Sequence, residues 1–467
     1  MPDELHALSV ALPRWTDVVA YEEKDPSCRK ALQAIYPRFG FHPLVAKFSE
    51  AVLKESPDQG CTAWPFANEQ AADLARNHCQ RCQPNALTMV SIHQGIACLV
   101  TNANAAASEF WQHTGLGASS RQVATALGQE HLPSTEAGQE AKITLLQRLA
   151  SLYETDPGSV TLVPSGMAAL HSALQAITAL WPGHHTLQLG FPYVDVLKLP
   201  QIVFAGGDLL LRTDANQLQD YLDDHKPAAV IIEVPSNPML QCVDLIRVAQ
   251  LAHARGIAVI ADDTIGSVLN IDLLKHVDMV FSSLTKSFAG RGDIMAGGLV
   301  VSPYSQWSTA LKHQLNQCKA ELFISDTIEL EKASRDVQER VPKLNRNCQI
   351  LAEHLSKHPA VLRVMHPENC NNFRALMRPN AGFGCLLSFE LKNGETSAKK
   401  VYDHLRVCKG PSLGTDFTLV CPYVLLAHYH ELEWAESCDV PKHLLRVSVG
   451  LEDPDDLWER FQAALES

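Results

Sequence analysis

Lys286 stands in the run SSLTKSFAGRGDIMAGG, residues 282–298, between hydroxyl residues and an aromatic and just behind the apolar stretch VDMVF. A lysine in a loop is ordinarily solvated, and a solvated lysine needs no such company. Three other short apolar runs also end in residues able to do chemistry. VTLVP leads into Ser165-Gly166-Met167, VIIEV into Pro235-Ser236-Asn237-Pro238, and IAVIA into Asp262-Asp263-Thr264, while VDMVF leads into Ser283, Thr285 and Lys286. Taken singly, each has a plain reading: a helix cap for Ser165, a turn former for Asp262, a turn at Asn237. Their order and spacing favour another. Asp262 precedes Lys286 by 24 residues, the length of one strand-to-strand crossover. Glycine at a helix start lets a phosphate approach free N–H groups and the positive end of the helix dipole. A carboxylate can keep a ring nitrogen protonated, and a lysine amine can condense with an aldehyde. One cofactor needs all three, pyridoxal phosphate.

The elements that must bring these residues together are legible in the same stretches. The strands are short, continuously apolar and rich in Val and Ile, and they alternate with helices such as MAALHSALQAITAL. Strands buried on both faces by helices have this pattern, so the expected class is α/β with a mostly parallel sheet. Ligands bind such a sheet beyond the carboxyl ends of its strands. EAKITLLQRLASLY, residues 140–153, predicts a helix with Ile143, Leu146, Leu149 and Ala150 on one face. Residues 1–85 mix short apolar patches with Pro and aromatics (LPRW, YPRF, WPF) and read as an N-terminal extension lying on another surface. A cover for a pocket, an oligomer contact and a regulatory site are all open for it. Residues 86–320 are expected to form the large, cofactor-binding domain. Residues 321–467 are expected to form a smaller α+β domain, with the strand-like CLLSFEL and HLLRVSVG and the terminal helix DPDDLWERFQAAL.

Bulk composition excludes several classes. At 467 residues the chain is too long for one core, and 46% hydrophobic with 19% charged residues is a globular balance. A net charge of −13 repels phosphate backbones, so no nucleic-acid partner is expected. No apolar run is long enough to span a bilayer, and MPDELHALSV lacks the basic and apolar regions of a signal peptide. Thirteen scattered cysteines suit free thiols in a reducing cytosol, so a cytoplasmic location is expected. Cys79 and Cys82 make a CxxC pair with no second pair to complete a zinc site, and no metal is expected.

The motifs PSGM (164–167), EVPSNP (233–238), DDT (262–264) and SLTK (283–286), followed by AGG (296–298), resemble those of the trans-sulfuration family of pyridoxal phosphate enzymes, also called the Cys/Met metabolism family. YPRFGF, FWQHTGLGASSR, LGFPYVDVLK and LLRVSVGLEDPDDL have the character of its fungal-type cystathionine γ-synthase branch. The resemblance implies fold type I, the aspartate-aminotransferase-like fold, and assigns roles by position. Lys286 is expected to form the Schiff base and then move protons, with Asp262 at the ring nitrogen. Gly166, Met167, Ser283 and Thr285 are expected to hold the phosphate, and Ser165 and Thr264 to complete the cofactor-binding set. Tyr193 is expected to stack on the ring, with Phe191 as the fallback because the family's glycines after this tyrosine are missing. Asn237 would lie by the ring hydroxyl, Arg446 would grip the substrate carboxylate, and Ser412 would lie near the substrate. Two departures stand out. Where most members carry a Tyr-Ser-Arg stretch that reaches the neighbouring subunit's phosphate, this chain reads Trp111-Gln112-His113, which leaves that contact to His113 or the nearby Arg121. Asp263 stands where the family commonly has Asn, an added charge the sequence does not explain.

The resemblance further implies amino acid substrates and a homodimer or homotetramer with sites at a subunit interface. The implied reaction is γ-replacement on an O-acetyl- or O-succinylhomoserine, with cysteine as nucleophile and cystathionine as product. A γ- or β-lyase, and substitution by another sulfur or carbon nucleophile, are the rivals within that chemistry. A cofactor-binding regulator without turnover and a purely structural protein are the rivals outside it. The lack of a basic helix-turn-helix pattern weighs against the first, and the presence of both Lys286 and Asp262 against the second.

Overall fold

Strand alternation sends successive residues to opposite faces of a sheet, and that rule places most of this chain. The computed structural model describes residues 4–36, 39–55, 60–211, 215–318 and 320–467. Pro37 and Arg38 of the YPRF motif lie outside the described residues. The first part of the chain carries α1 (Trp15–Glu22), α2 (Pro26–Ala31), α3 (Pro43–Glu55), β1 (Thr62–Phe66), α4 (Glu69–Cys82), β2 (Thr88–His93), β3 (Ile96–Thr101), α5 (Asn104–Thr114) and α6 (Ser120–Ala126). The middle carries α7 (Thr135–Tyr153), β4 (Val160–Val163), α8 (Gly166–Leu180), β5 (Thr186–Leu189), α9 (Val194–Val203), β6 (Gly207–Leu210), α10 (Ala215–His225), β7 (Ala229–Glu233), α11 (Leu245–His253), β8 (Ala258–Asp262), β9 (Met279–Ser283), β10 (Gly297–Val301) and α12 (Ser308–Leu315). The last part carries α13 (Ile324–Ala333), α14 (Val337–Lys357), β11 (Val361–Met365), α15 (Asn371–Arg374), β12 (Leu386–Leu391), α16 (Gly394–His404), β13 (Cys408–Lys409), β14 (Leu419–Pro422), α17 (Tyr423–Ala427), α18 (Leu432–Ser437), β15 (Leu445–Ser448) and α19 (Pro454–Leu465).

The central sheet has seven strands in the order β4-β10-β9-β8-β7-β5-β6. β10 is antiparallel to both its neighbours, and the other pairs are parallel. This is the mostly parallel α/β sheet of the expected class. Val230, Ile232, Val259 and Ala261 enter one core with α7 and α11. Ala229, Ile231, Ala258, Ile260, Met279 and Phe281 enter the other with α8. Burial on both faces is why these strands read as unbroken apolar runs.

The expected face of α7 is corrected. Ile143 is 45% exposed and Leu146 is partly buried, while Leu145, Leu149 and Leu152 form the buried stripe. Leu145 and Leu146 are adjacent, so two apolar stripes fit the periodicity, and packing against the sheet and α13 selects the one through Leu145.

The N-terminal 85 residues are also more than a layer on another surface. β1, β3 and β2 form an antiparallel sheet in that order. One face packs on α3 and α6 through Val45, Phe48, Val100 and Val123, and the other joins the α8 core through Trp64, Phe66 and Leu99. The expected boundary at residue 85 falls between α4 and β2, inside this unit.

The C-terminal sheet has the order β11-β12-β15-β14-β13. The chain from Leu8 to α1 is tied to its edge. Leu12 N donates to Lys409 O at 3.1 Å, Tyr402 OH to Leu12 O at 2.6 Å and Lys409 Nζ to Pro13 O at 2.7 Å. α1 then buries Val18 and Tyr21 in the core of that sheet. α14 links the domains: Val337 and Val341 belong to the central core, Leu351 and Leu355 to the C-terminal one. Among the described residues no helix is long and apolar enough to cross a membrane. The assignment of the α7 face predicts that Leu145→Ala lowers stability in urea unfolding by about 2–5 kcal/mol, whereas Ile143→Ala changes it by less than about 0.5 kcal/mol.

Candidate active site

The alternation that builds the two cores also decides which strand-end residues share a face. Glu233, Asp262 and Ser283 continue the rows of Ile231, Ile260 and Phe281, and all three line one cavity of about 190 Å³. Asp263 and Ser282 fall on the opposite face. There Asp263 Oδ2 accepts a hydrogen bond from Tyr153 OH at 2.7 Å. Burial pushes its carboxyl up to about 6 despite this bond. The charge unexplained by the sequence thus belongs to the back of the sheet, away from the cavity.

Lys286 is 6% exposed at the cavity wall. Its Nζ donates to Tyr36 OH at 2.8 Å and to Ser412 Oγ at 3.3 Å, and lies 4.7 Å from the Tyr36 ring centroid. Ser412 is set by a tight turn: Gly414 has φ +74°, and a Cβ there would come within 2.3 Å of Ser287 N. Arg446, on the central strand β15, is 3% exposed. Its guanidinium donates to Asn237 Oδ1 at 3.2 Å, to Ser412 O at 3.2 Å and to Pro411 O, and faces the Tyr423 ring at 4.9 Å. Ser412 therefore touches both cations, and no carboxylate pairs with Arg446 among the described residues.

Two carboxylates line the same cavity. Glu233 and Asp262 are direct neighbours in the β7–β8 register. Thr264 N donates to Asp262 Oδ1 at 2.9 Å, and Thr264 Oγ1 accepts from Ser283 N at 2.8 Å. Glu233 accepts from Tyr193 N, but its Oε2 is buried with no hydrogen-bond partner. Burial pushes the Asp262 carboxyl up to about 7, and burial with the Asp262 charge pushes Glu233 well above the usual carboxylate range. No basic side chain among the described residues relieves either of them.

At the start of α8 the Ser165 hydroxyl is committed as the N-cap, accepting from Ala168 N at 3.0 Å and donating to Gly115 O at 2.8 Å. Thr285 Oγ1 is likewise committed to Ala296, donating to its O at 3.2 Å and accepting from its N at 3.0 Å. The first-turn N–H groups of Gly166 and Met167 have no partner within the helix. Gly166, Met167 and Ser283 all line the cavity. A Cβ on Gly166 would lie 2.7 Å from Ser283 Cβ, so only glycine lets the helix start come this close to the strand end.

The remaining expectations divide. Tyr193, Asn237 and Thr264 line the cavity. Phe191 does not; it packs against His428 and Trp434 at 5.2 and 5.4 Å. His113 is corrected: it is 5% exposed and its Nδ1 is 2.8 Å from Asp195 Oδ1 of its own chain, so it cannot extend to a neighbour. Trp111 and Gln112, not His113, face the cavity. Arg121 reaches the cavity edge, but Asp293 (O at 2.6 Å, Oδ2 at 3.1 Å) and Asp326 Oδ1 (3.3 Å) take its donors. Sequence reading missed Tyr36, Phe39 and His42, which bring the N-terminal stretch to the cavity, and gave Glu233 no role. The only signals were an aromatic cluster with no visible partner and a carboxylate ending the strand before that of Asp262. Cys82 Sγ lies 3.6 Å from His78 Nε2 on α4, and among the described residues no three His, Cys, Asp or Glu side chains are placed to hold a metal.

These groups suit pyridoxal phosphate: an amine, an anion cradle that a Cβ would fill, and two buried carboxylates short of a cation, one with an orphaned oxygen. Fold and site together define a pyridoxal-phosphate-dependent enzyme of the α/β class. Comparison with known proteins agrees. The model of the family described as Cys/Met metabolism PLP-dependent enzyme matches residues 101–466, and the chain belongs to that family. It is 39% identical over 331 residues to a cystathionine gamma-synthase of Neurospora crassa, covering 68% of this chain but only 53% of that protein. It is 31% identical over 532 residues to the cystathionine gamma-synthase-like protein ankD of Aspergillus thermomutatus, covering 99% and 93%. The crystal structure of a cystathionine gamma synthase from Xanthomonas oryzae pv. oryzae superposes with a TM-score of 0.63 at 25% identity, covering 72% of this chain and 88% of that one.

The raised Asp262 carboxyl has a measurable sign. In the cofactor-free protein its charge opposes folding above pH about 7 and is absent once the group is protonated in both folded and unfolded states, near pH 4. Asp262→Asn should therefore raise the thermal midpoint of the cofactor-free protein at pH 8, with the gain shrinking as the pH falls toward 4. A gain that stayed constant with pH would mean the aspartate is not the strained group.

Proposed function

We propose that the protein replaces the γ-acyloxy group of an O-acetyl- or O-succinylhomoserine with a thiol, most directly that of cysteine. The Cγ–O bond breaks and its electron pair leaves with the carboxylate, a Cγ–S bond forms from the thiol's sulfur, and the thiol's proton is released to solution. The observation that carries this reading is Arg446. It is a buried cation with no protein carboxylate among the described residues, joined to Lys286 through Ser412. An α-amino acid fits that pair, its carboxylate on the guanidinium as a charge-assisted hydrogen-bonded pair and its reacting carbons toward Nζ. Asn237 holds the guanidinium in place from the side of the cis Asn237–Pro238 turn.

Pyridoxal phosphate, bound here, supplies an aldehyde for the amine and a ring that takes up electron density. The rest falls to the side chains. Lys286 Nζ moves protons at Cα and then at Cβ, Asp262 and Glu233 offer negative charge to the ring nitrogen's side, and Gly166, Met167 and Ser283 offer donors to the phosphate. Tyr193 stands at the cavity wall to cover the ring. Relatives support replacement: two carry the cystathionine gamma-synthase name at 39% and 35% identity, and the Xanthomonas enzyme has been crystallised with cystathionine. A second reading is elimination. It is favoured by a dechlorinase/desaturase acting on L-2-amino-4-chloropent-4-enoate in Streptantibioticus cattleyicolor, 31% identical with 100% of this chain covered.

Mass spectrometry of products from the loaded enzyme with each ester, with and without cysteine, separates the two. Cystathionine formed only with cysteine supports replacement, and 2-oxobutyrate in its absence or presence supports elimination. Lys286→Ala should lose the visible absorption of bound cofactor; an unaltered spectrum would remove Lys286 from its role. Arg446→Ala should raise KM for the amino acid about 10-fold or more, the effect of losing a charged pair, and an unchanged KM would assign the carboxylate elsewhere.

A further inference from the structure

Tyr36 is where the N-terminal stretch meets the chemistry. Among the described residues two side chains hydrogen bond to Lys286 Nζ, and Tyr36 OH at 2.8 Å is nearer than Ser412 Oγ at 3.3 Å. The ring also faces the amine, with Nζ 4.7 Å from its centroid. The tyrosine is seated by aromatic contacts: Tyr36 lies 6.1 Å from Phe39, and Phe39 meets Tyr21 edge-on at 5.4 Å. Tyr21 is 5% exposed in the C-terminal core, so these ring contacts connect Tyr36 to that core.

A hydroxyl can both donate and accept a hydrogen bond. Toward an ammonium it accepts, and toward a neutral amine it turns its own O–H onto the lone pair. A carboxylate in that place would favour only the ammonium, and an apolar side chain would serve neither. An amine that takes a proton from carbon and later returns it passes through both states.

We propose that Tyr36 is a catalytic residue, its hydroxyl keeping Lys286 Nζ hydrogen-bonded and aimed in both the protonated and the neutral state. The proposal rests on the reading of Lys286 as the proton-moving amine. In each transfer one proton passes between a substrate carbon and Nζ, and the C–H electron pair stays with the substrate. Tyr36 only reverses the sense of its hydrogen bond and neither gains nor loses a proton.

Tyr36→Phe keeps the ring and its packing and removes only the oxygen. In cofactor-free protein, Lys286 is labelled with an amine-reactive acetate ester and its peptide followed by mass spectrometry. Labelling should be about threefold or more faster in the variant, because no O–H masks the amine's lone pair. In the loaded enzyme, exchange of the α-proton of L-alanine in heavy water is followed by NMR. It should slow about 10-fold or more with half-saturation changed less than about threefold. Alanine has no γ leaving group, so an error in the proposed substrate leaves both measurements intact, whereas an error about Lys286 would leave wild-type exchange insensitive to Lys286→Ala. Equal labelling rates overturn the proposal. So does faster labelling with unchanged exchange, which would make Tyr36 a mere cover. Loss of the bound cofactor's visible absorption in Tyr36→Phe overturns it as well, since a group acting on the proton at Nζ is not needed to hold the cofactor.

Discussion

Two carboxylates buried side by side, Glu233 and Asp262, constrain everything around them. Adjacent strands bring them together, and neither has a basic side chain to answer it among the described residues. Like charges in a dry place cannot both ionise cheaply, so the site is under electrostatic strain until a cation arrives. A protonated ring nitrogen is such a cation. The same strain ties cofactor binding to the stability of the folded chain, because a ligand that relieves it binds only the folded form. Lys286 and Arg446 line the same cavity, and Ser412 contacts both.

What the sequence made legible was the part of this arrangement governed by local rules. Short Val- and Ile-rich runs announced the buried sheet, and the polar residues ending them were brought to one cavity because strands in register end together. Ser165 and Thr285 line the cavity, but their hydroxyls are committed to backbone partners, which no spacing could reveal. Asp263 was a puzzle only while its face was unassigned; one residue of alternation takes it to Tyr153. The failures were non-local. Tyr36 lies 250 residues from Lys286 in the chain, and nothing in the YPRF run names that partner. β1–β3 went unread because their apolar residues serve two different cores, and neither core is visible in the segment alone. The His113 expectation came from position in a motif, and a buried bond to Asp195 in α9 overrode it.

The N-terminal stretch therefore belongs to the reaction chamber as much as the sheet does. It is held on one side by the C-terminal domain, through Leu12, Pro13 and α1, and on the other by the β1–β3 sheet through α3. Between these anchors it brings Tyr36, Phe39 and His42 to the cavity. Chemistry drawn from three separate cores is positioned with more independence than chemistry drawn from one.

That architecture has a consequence for the order in which a ribosome releases the chain. Val10, Leu12, Val18 and Tyr21 are synthesised well before the C-terminal core that buries them, and the hydrogen bond from Tyr402 to Leu12 spans 390 residues. The nascent protein must carry these apolar residues unburied until that core emerges, exposed to aggregation that a holding chaperone would prevent. The cavity around Lys286 waits for the segment that carries Ser412 and Arg446, so a product truncated before that segment would bring its Lys286 into a site that cannot close around it.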